Sequence, residues 1–390
     1  MSREKYSRKS KIFLVYYYVL ITFIIIQHLP IIFDNYYSTI RLVLYVMLII
    51  GIVYFIFHYK IPRNKLWIYM GLLFLYTLMI GVVNLFSKNG MFSIFEIAIP
   101  FGIMIISNNY FFKDNEKNTF IKYFIFITTI LAVSIVLFYN NGFSISEIYN
   151  IPSKNQVGPI IATALLLSIC MLFRKSKIDI LLFLCTILLF VSLLVIRNRS
   201  GIVGVMIVFA FFVVKNTKKL KKSTIVFSSI VLLGLVFLVL SPIGGNIFEY
   251  VYASLFSNYN VHDIDSISAG RINTYKEGLD YIRENIFFGS ITSVQPYANT
   301  ILPHNYVINK LVQLGYIGAS PFILFYLYLW FFFFKYSHNK NYSPWILGLG
   351  LIVSLFEYTY PFGPGVSQFM LWFLLGQEFS QNKNRSEENN

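Results

Sequence analysis

Long apolar runs follow one another almost without pause along this chain, at residues 12–33, 39–57, 66–86, 91–106, 119–138, 157–173, 178–196, 200–214, 223–241, 311–334, 344–359 and 364–379. A helix needs about 20 mostly apolar residues to cross a hydrocarbon core about 30 Å thick, and only helices and closed barrels satisfy their own backbone polar groups there. The runs therefore predict an all-α polytopic integral membrane protein with about twelve transmembrane helices. Composition agrees: 57% of the residues are hydrophobic and 13% charged, against about 25% charged in a soluble domain. A water-soluble enzyme is excluded. The first run has no small-residue cleavage site behind it and reads as a span rather than a removable signal. Cys170 and Cys185 both fall inside apolar runs, so neither a disulfide framework nor a zinc site is expected from them.

The formal charge is +15, from 32 Lys and Arg against 17 Asp and Glu. With the amino terminus placed in the cytoplasm, 23 of those 32 basic residues fall on one side. They cluster at residues 3–11, 60–65, 113–122, 174–177, 215–222, 335–340 and 383–385. This is the bias of the positive-inside rule, so most of the charge is topological and calls for no nucleic-acid partner. The remaining nine, Arg41, Lys88, Lys154, Arg197, Arg199, Arg271, Lys276, Arg283 and Lys310, fall on or near the outer side. Two of them, Arg197 and Arg199, crowd the short connection between spans seven and eight, where topology disfavours arginine.

The organisation that follows has spans one to nine in residues 1–241, a large extracytoplasmic loop in 242–303, spans ten to twelve in 304–380 and a cytoplasmic tail in 381–390. Within the loop, residues 271–285 read as an amphipathic helix: Ile272, Tyr275, Leu279 and Ile282 recur at helical spacing, with Lys276, Asp280, Arg283 and Glu284 on other faces. Ser268 is the expected cap. No internal repeat and no inverted pair of broken helices of the transporter kind is visible.

An arginine at the end of a span often does no more than snorkel to the headgroups. Arg197 and Arg199 together read instead as an anion site, since guanidinium forks onto phosphate oxygens. Arg271 adds to it from the start of a helix, where free backbone N–H groups also favour a phosphate; its bland alternative is a solvated loop charge. His304, beside Pro303 at the outer entrance to span ten, is the candidate general base, against the alternative of a structural interfacial histidine. Asp263 and Asp265 form a D-x-D pair of the sort that holds divalent cations, although short acidic pairs in loops are common. Asp34, in the first outer loop, is a further acid–base candidate. Glu96 lies within span four, where a carboxylate is costly and either functional or paired. Glu357, with Tyr358 and Tyr360 at the outer end of span eleven, lines a sugar pocket or forms part of an aromatic belt.

Four short motifs then fall in a familiar order. Lys154-Asn155-Gln156-Val157-Gly158, Arg199-Ser200-Gly201, Gly270-Arg271 through Tyr275 to Phe288-Gly289, and His304-Asn305 through Gly315 and Gly318 together resemble the signatures of the O-antigen ligase and polymerase superfamily. The likeness is greatest to the Wzy-type polymerases of capsular and exopolysaccharide assembly. Asn198 stands where a serine is usual, which leaves Arg197 or Arg199 as the equivalent of the motif's arginine; Tyr275 stands where tryptophan is common. The resemblance covers about residues 150–320.

It implies a GT-C-like glycosyltransferase of the cell membrane, working on the outer leaflet without nucleotide sugars, metal or other cofactor. An undecaprenyl-pyrophosphate-linked oligosaccharide donor passes its glycan to a hydroxyl of the next lipid-linked acceptor. Arg199 and Arg271, with Arg197 assisting, are expected to hold the departing pyrophosphate and His304 to take the acceptor proton. Asn155, Asn305, Tyr275 and Glu357 are expected substrate contacts. Besides the lipid bilayer, a chain-length regulator and a flippase are expected partners. Polymerase and ligase share the arginine and histidine set, so both readings stand. A lipid-linked oligosaccharide flippase is the rival from another class, although two similar halves would then be expected. A membrane acyltransferase fits less well, since its histidine usually lies near the first spans and His28 here lacks a matching arginine.

Overall fold

The computed structural model describes residues 2–58, 64–83, 88–139, 154–174, 179–196, 198–216, 270–290, 303–337, 341–358, 360–363 and 368–387. The elements are α1 (Ser2–Ile26), α2 (Pro30–His58), α3 (Lys65–Val83), α4 (Lys88–Ser107), α5 (Asp114–Phe138), α6 (Lys154–Arg174), α7 (Ile180–Val195), α8 (Arg199–Asn216), α9 (Arg271–Glu284), α10 (Tyr306–Tyr336), α11 (Ser343–Val353) and α12 (Phe369–Glu387). No strand occurs among the described residues.

Among the described residues, five helices are long and apolar enough to cross a membrane: Pro30–His58, Lys65–Val83, Asp114–Phe138, Asn155–Arg174 and Tyr306–Tyr336. The protein is a polytopic integral membrane protein, all-helical over the described residues. Shorter apolar stretches run over Ile12–Ile26, Ile94–Ser107, Ile180–Val195 and Ser343–Val353. The expected ninth span, 223–241, lies outside the described residues, as do Arg197, Asp263, Asp265 and Ser268.

Side chains such as Ile49, Ile50, Leu72, Leu75, Leu324 and Phe331 stand exposed on helix faces, as they do where lipid is the solvent. Trp67, Trp345, Trp372 and Tyr17 are fully enclosed.

Two helix pairs, α3 with α10 and α8 with α11, run antiparallel. The ring of Tyr69 meets Tyr328, while the Tyr76 hydroxyl donates to the Gly318 carbonyl, 3.0 Å away. The Phe212 ring packs on Trp345, while Gly204 faces Leu349 and Val353. One end of the bundle gathers Lys117 on Glu378 (3.4 Å), Lys122 on Asp179 (2.6 Å) and Arg174 on the Asn341 carbonyl (3.1 Å). These are residues of the basic clusters read as cytoplasmic from the sequence. The other end gathers the amino termini of α6, α8 and α10 and the carboxyl end of α11.

Two of the boundaries that differ from expectation bear on candidate residues. The first span does not continue to residue 33: Pro30 has no N–H to carry the helix on, and α1 ends at Ile26 before α2 begins at Pro30. Asp34 consequently sits exposed on α2 and not in a loop. The eleventh span stops at Val353, short of residue 359, because the Ser354 carbonyl accepts the Tyr306 N–H of α10 (2.9 Å). The chain leaves the helix there and carries Glu357 across the mouth of α10.

Candidate active site

Three polar side chains from three separate elements meet at that mouth. Arg271 opens α9, directly after Gly270, whose φ of 76° suits a residue without a side chain. Its Nη2 lies 3.1 Å from Glu357 Oε1. His304, two residues before α10, has Nδ1 3.4 Å from Glu357 Oε2. The carboxylate lies beneath both: its side chain is 6% exposed, against 26% for Arg271 and 25% for His304. The Tyr358 ring meets the imidazole edge to face at 5.8 Å. Burial, followed by the charges of Glu357 and Glu96, raises the Tyr358 phenol above its ordinary range, so it stays protonated beside the imidazole.

Backbone clamps hold this arrangement. Asn305 caps α10, its side-chain oxygen accepting from the N–H groups of Val307 (3.0 Å) and Ile308 (3.1 Å). Its Nδ2 donates to the Leu355 carbonyl at 3.3 Å. The Tyr275 hydroxyl donates to the His304 carbonyl at 2.8 Å and also approaches the Leu355 carbonyl at 3.3 Å. Burial above all, with Glu357 adding and Arg271 opposing, raises the Tyr275 phenol as well, so the donor persists. Tyr275 and Asn305 thus hold backbone in place; Tyr275, one turn after Arg271 on α9, ties that helix to the histidine.

α9 is held against α10 by three glycines. A methyl group at Gly278 would come within 2.9 Å of Pro303 and 3.3 Å of Ile308, so the two helices approach as only a bare backbone allows. After α9 the chain turns, and Gly289 (φ 60°) lies against Gly315 (φ 64°), where α10 kinks. The kink frees two amides: Tyr316 N–H donates to the Ile286 carbonyl (2.7 Å) and Ile317 N–H to the Phe287 carbonyl (3.2 Å). Ser290 N–H donates to the Val312 carbonyl at 2.8 Å.

The other arginine motif is built around Asn198. Buried at the start of α8, it accepts the Gly201 N–H at 2.8 Å, and both Gly158 of α6 and Gly201 lie so close to its amide that neither position has room for a side chain. Arg199 follows, half-buried. The antiparallel pairing of α8 with α11 puts it at the end of α11 that leads to Glu357. Asn155 is exposed at the start of α6.

Below His304, Glu96 of α4 pairs with Lys310 of α10, both fully buried. Gln313 Oε1 accepts from the same ammonium at 3.4 Å, which also lies 4.8 Å from the Phe322 ring. Glu96 is thus a paired, fully buried carboxylate. Among the described residues no three His, Cys, Asp or Glu side chains are grouped as metal ligands.

Residues 184–323 match a family described as Wzy_C, O-antigen ligase. The chain carries a Wzy_C domain. That domain takes in most of α7, all of α8 and α9 and the first half of α10, and so includes Arg199, Arg271, His304 and Lys310. Proteins with a Wzy_C domain are glycan ligases and polymerases, transferases acting on lipid-linked glycans. Glu357, which joins two polar residues of the Wzy_C domain, lies outside the match, as does Asn155. No curated protein matches the chain.

Proposed function

We propose that the protein is a lipid-linked repeat-unit polymerase of the cell membrane. The observation that supports it is the convergence of Arg271 and His304 on Glu357 at one end of a membrane-embedded bundle. The donor is an undecaprenyl-pyrophosphate-linked glycan and the acceptor a hydroxyl of the next lipid-linked unit. His304 takes the acceptor proton, the acceptor oxygen bonds to the anomeric carbon, and the bond from that carbon to pyrophosphate breaks with inversion. Charge gathers on the leaving pyrophosphate as the bond breaks. Arginines held where that charge develops lower the barrier by several kcal/mol in a site shielded from water. Arg271 and Arg199 fill this role, with Arg197 a third candidate.

The reaction takes place on the outer face, with both termini cytoplasmic, in a chain of about twelve spans of the GT-C-like kind and one large extracytoplasmic loop to which α9 belongs. The loop occupies 242–303 between span groups 1–241 and 304–380, and 381–390 is the tail. The histidine and arginines carry the step without a metal. A flippase supplies the lipid-linked units, and a chain-length regulator acts beside the polymerase. A ligase would use the same residues and differ in its acceptor.

His304→Ala and Arg271→Ala, each checked for normal membrane insertion, are expected to abolish the ladder of long polymers and leave single repeat units on the lipid at the outer face. A normal ladder from both would overturn the assignment. Units trapped inside in a deletion strain would point to a flippase.

A further inference from the structure

We infer that Glu357 couples donor binding to the general base: pyrophosphate draws Arg271 away from the carboxylate, and the carboxylate then turns wholly to His304 Nδ1. The inference rests on the polymerase reading above and gives Glu357 the task of a positioning residue rather than a sugar contact.

Four observations carry it. First, Glu357 divides its two oxygens between two cationic or protonatable partners, Oε1 to Arg271 at 3.1 Å and Oε2 toward His304 at 3.4 Å. Second, only the first of these contacts is a hydrogen bond. His304 Nδ1 is inaccessible to water and makes none, although a carboxylate with spare acceptor capacity stands 3.4 Å away. A buried nitrogen left in that condition is costly, and a small rotation of the Glu357 side chain satisfies it. Third, the carboxylate is the most buried of the three groups, so it cannot lose Arg271 to another anion without taking a replacement donor. Among the described residues Nδ1, 3.4 Å from Oε2, is the donor within reach. Fourth, the Tyr275 hydroxyl on the His304 carbonyl fixes α9 to the histidine backbone. Arg271 and His304 are therefore held in register, and the exchange needs only side-chain rotation.

The chemical result follows from the two ring nitrogens. A proton fixed on Nδ1 by a carboxylate leaves the Nε2 lone pair free for the acceptor hydroxyl and stabilises the imidazolium that forms when it takes the proton. Among the described residues, the titratable and charged groups facing His304 are Glu357 and Tyr358 from the segment after α11, and Arg271 and Tyr275 from α9. Lys310 and Glu96 lie one to two turns deeper and are paired with each other. The base would thus reach full strength only once a pyrophosphate has claimed the arginine, which guards against unproductive proton abstraction before the donor arrives.

The test separates a shared carboxylate from a merely structural one by the sign of two effects. In membrane vesicles of the full chain, Glu357→Gln is expected to bind undecaprenyl pyrophosphate several-fold more tightly, because the amide competes poorly for Arg271. With the cell's own lipid-linked units as substrate, the same variant should lose polymer formation by tenfold or more. The acid limb of its residual pH–rate profile should move to lower pH, since a neutral amide no longer favours the imidazolium. Glu357→Asp, which keeps the charge but is too short to serve both partners, should recover part of the rate. Weaker pyrophosphate binding with Gln, or a wild-type rate and pH profile, overturns the coupling. If Glu357→Gln fails to accumulate, the Asp variant decides: pyrophosphate bound as in wild type with an unchanged rate also overturns it. His304→Ala and Arg271→Ala report separately on the polymerase reading. Ladders from those two sink the parent assignment, whereas their loss together with a Gln variant that binds pyrophosphate more weakly sinks only the coupling.

Discussion

The backbone of Gly289, just past α9, rests against the backbone of Gly315 at the kink of α10, each with φ near +60°. This contact, made by two residues of the signature motifs, sets how α9 lies on α10 and hence where Arg271 stands relative to His304. Neither residue has a polar side chain to offer the reaction; their part is steric.

Replacing either glycine by alanine should therefore act on the site from a distance. A strained positive φ costs a non-glycine residue about 1–3 kcal/mol, and a methyl at Gly289 would lie 2.5 Å from the Gly315 nitrogen. Gly289→Ala and Gly315→Ala should each reduce polymer at least tenfold and make the 270–290 segment more sensitive to protease. Gly71→Ala, whose methyl would meet only the Phe101 ring edge at 3.7 Å, should leave both measurements unchanged.

Tyr275→Phe removes the hydroxyl that ties α9 to the His304 carbonyl. An intramolecular hydrogen bond contributes about 1 kcal/mol, so polymer yield should fall several-fold and not vanish. A phenylalanine variant with no polymer at all would show that the hydroxyl meets substrate.

Glu96 and Lys310 stabilise the bundle only as a pair. Breaking a buried pair from one side costs about 3–5 kcal/mol, whereas replacing both partners by apolar side chains is often neutral. Glu96→Leu and Lys310→Met should each lower the melting temperature in detergent, and the double variant should regain most of the loss. Additive losses in the double variant would show that the two charges act separately.

Arg199 and Asn198 are neighbours with separable tasks. Arg199→Gln should weaken undecaprenyl pyrophosphate binding with little change in thermal stability. Asn198→Ala removes a helix cap worth about 1 kcal/mol and should chiefly lower stability, with Asn198→Ser restoring it. Unchanged turnover in Arg199→Gln would mean that the arginine only snorkels.

Sidedness is open to labelling. With Cys170 and Cys185 buried, an impermeant maleimide on whole cells should modify Ser290→Cys and spare Asn216→Cys. The reverse pattern would invert the bundle.

The class of protein was legible from hydropathy alone, because crossing a membrane is a demand on each run of about 20 residues taken by itself. Basic clustering likewise grouped Lys117, Lys122 and Arg174, which the structure brings to one end. The arginine and histidine motifs were legible because each lies within a few consecutive residues, and the Wzy_C match covers three of the four. The helix boundaries at Ile26 and Val353 were not equally readable. Pro30 carried a local signal for the first, but the second depends on a Tyr306 amide that claims the Ser354 carbonyl from another helix.

The partners of the charged groups were the least readable of all. Glu96 stood out as a carboxylate within an apolar run and Lys310 only as one of nine basic residues on or near the outer side; they are 214 residues apart, and no spacing rule joins them. Glu357 and Arg271 are 86 residues apart, and the expected eleventh span ran through Glu357 as if it were one more interfacial residue. Hydropathy and short motifs are properties of neighbours along the chain; they determined the membrane bundle, the helix of 271–285 and which side chains are capable of the chemistry. The position of a buried carboxylate between a guanidinium and an imidazole depends on where three helix ends meet, and only tertiary packing decided that.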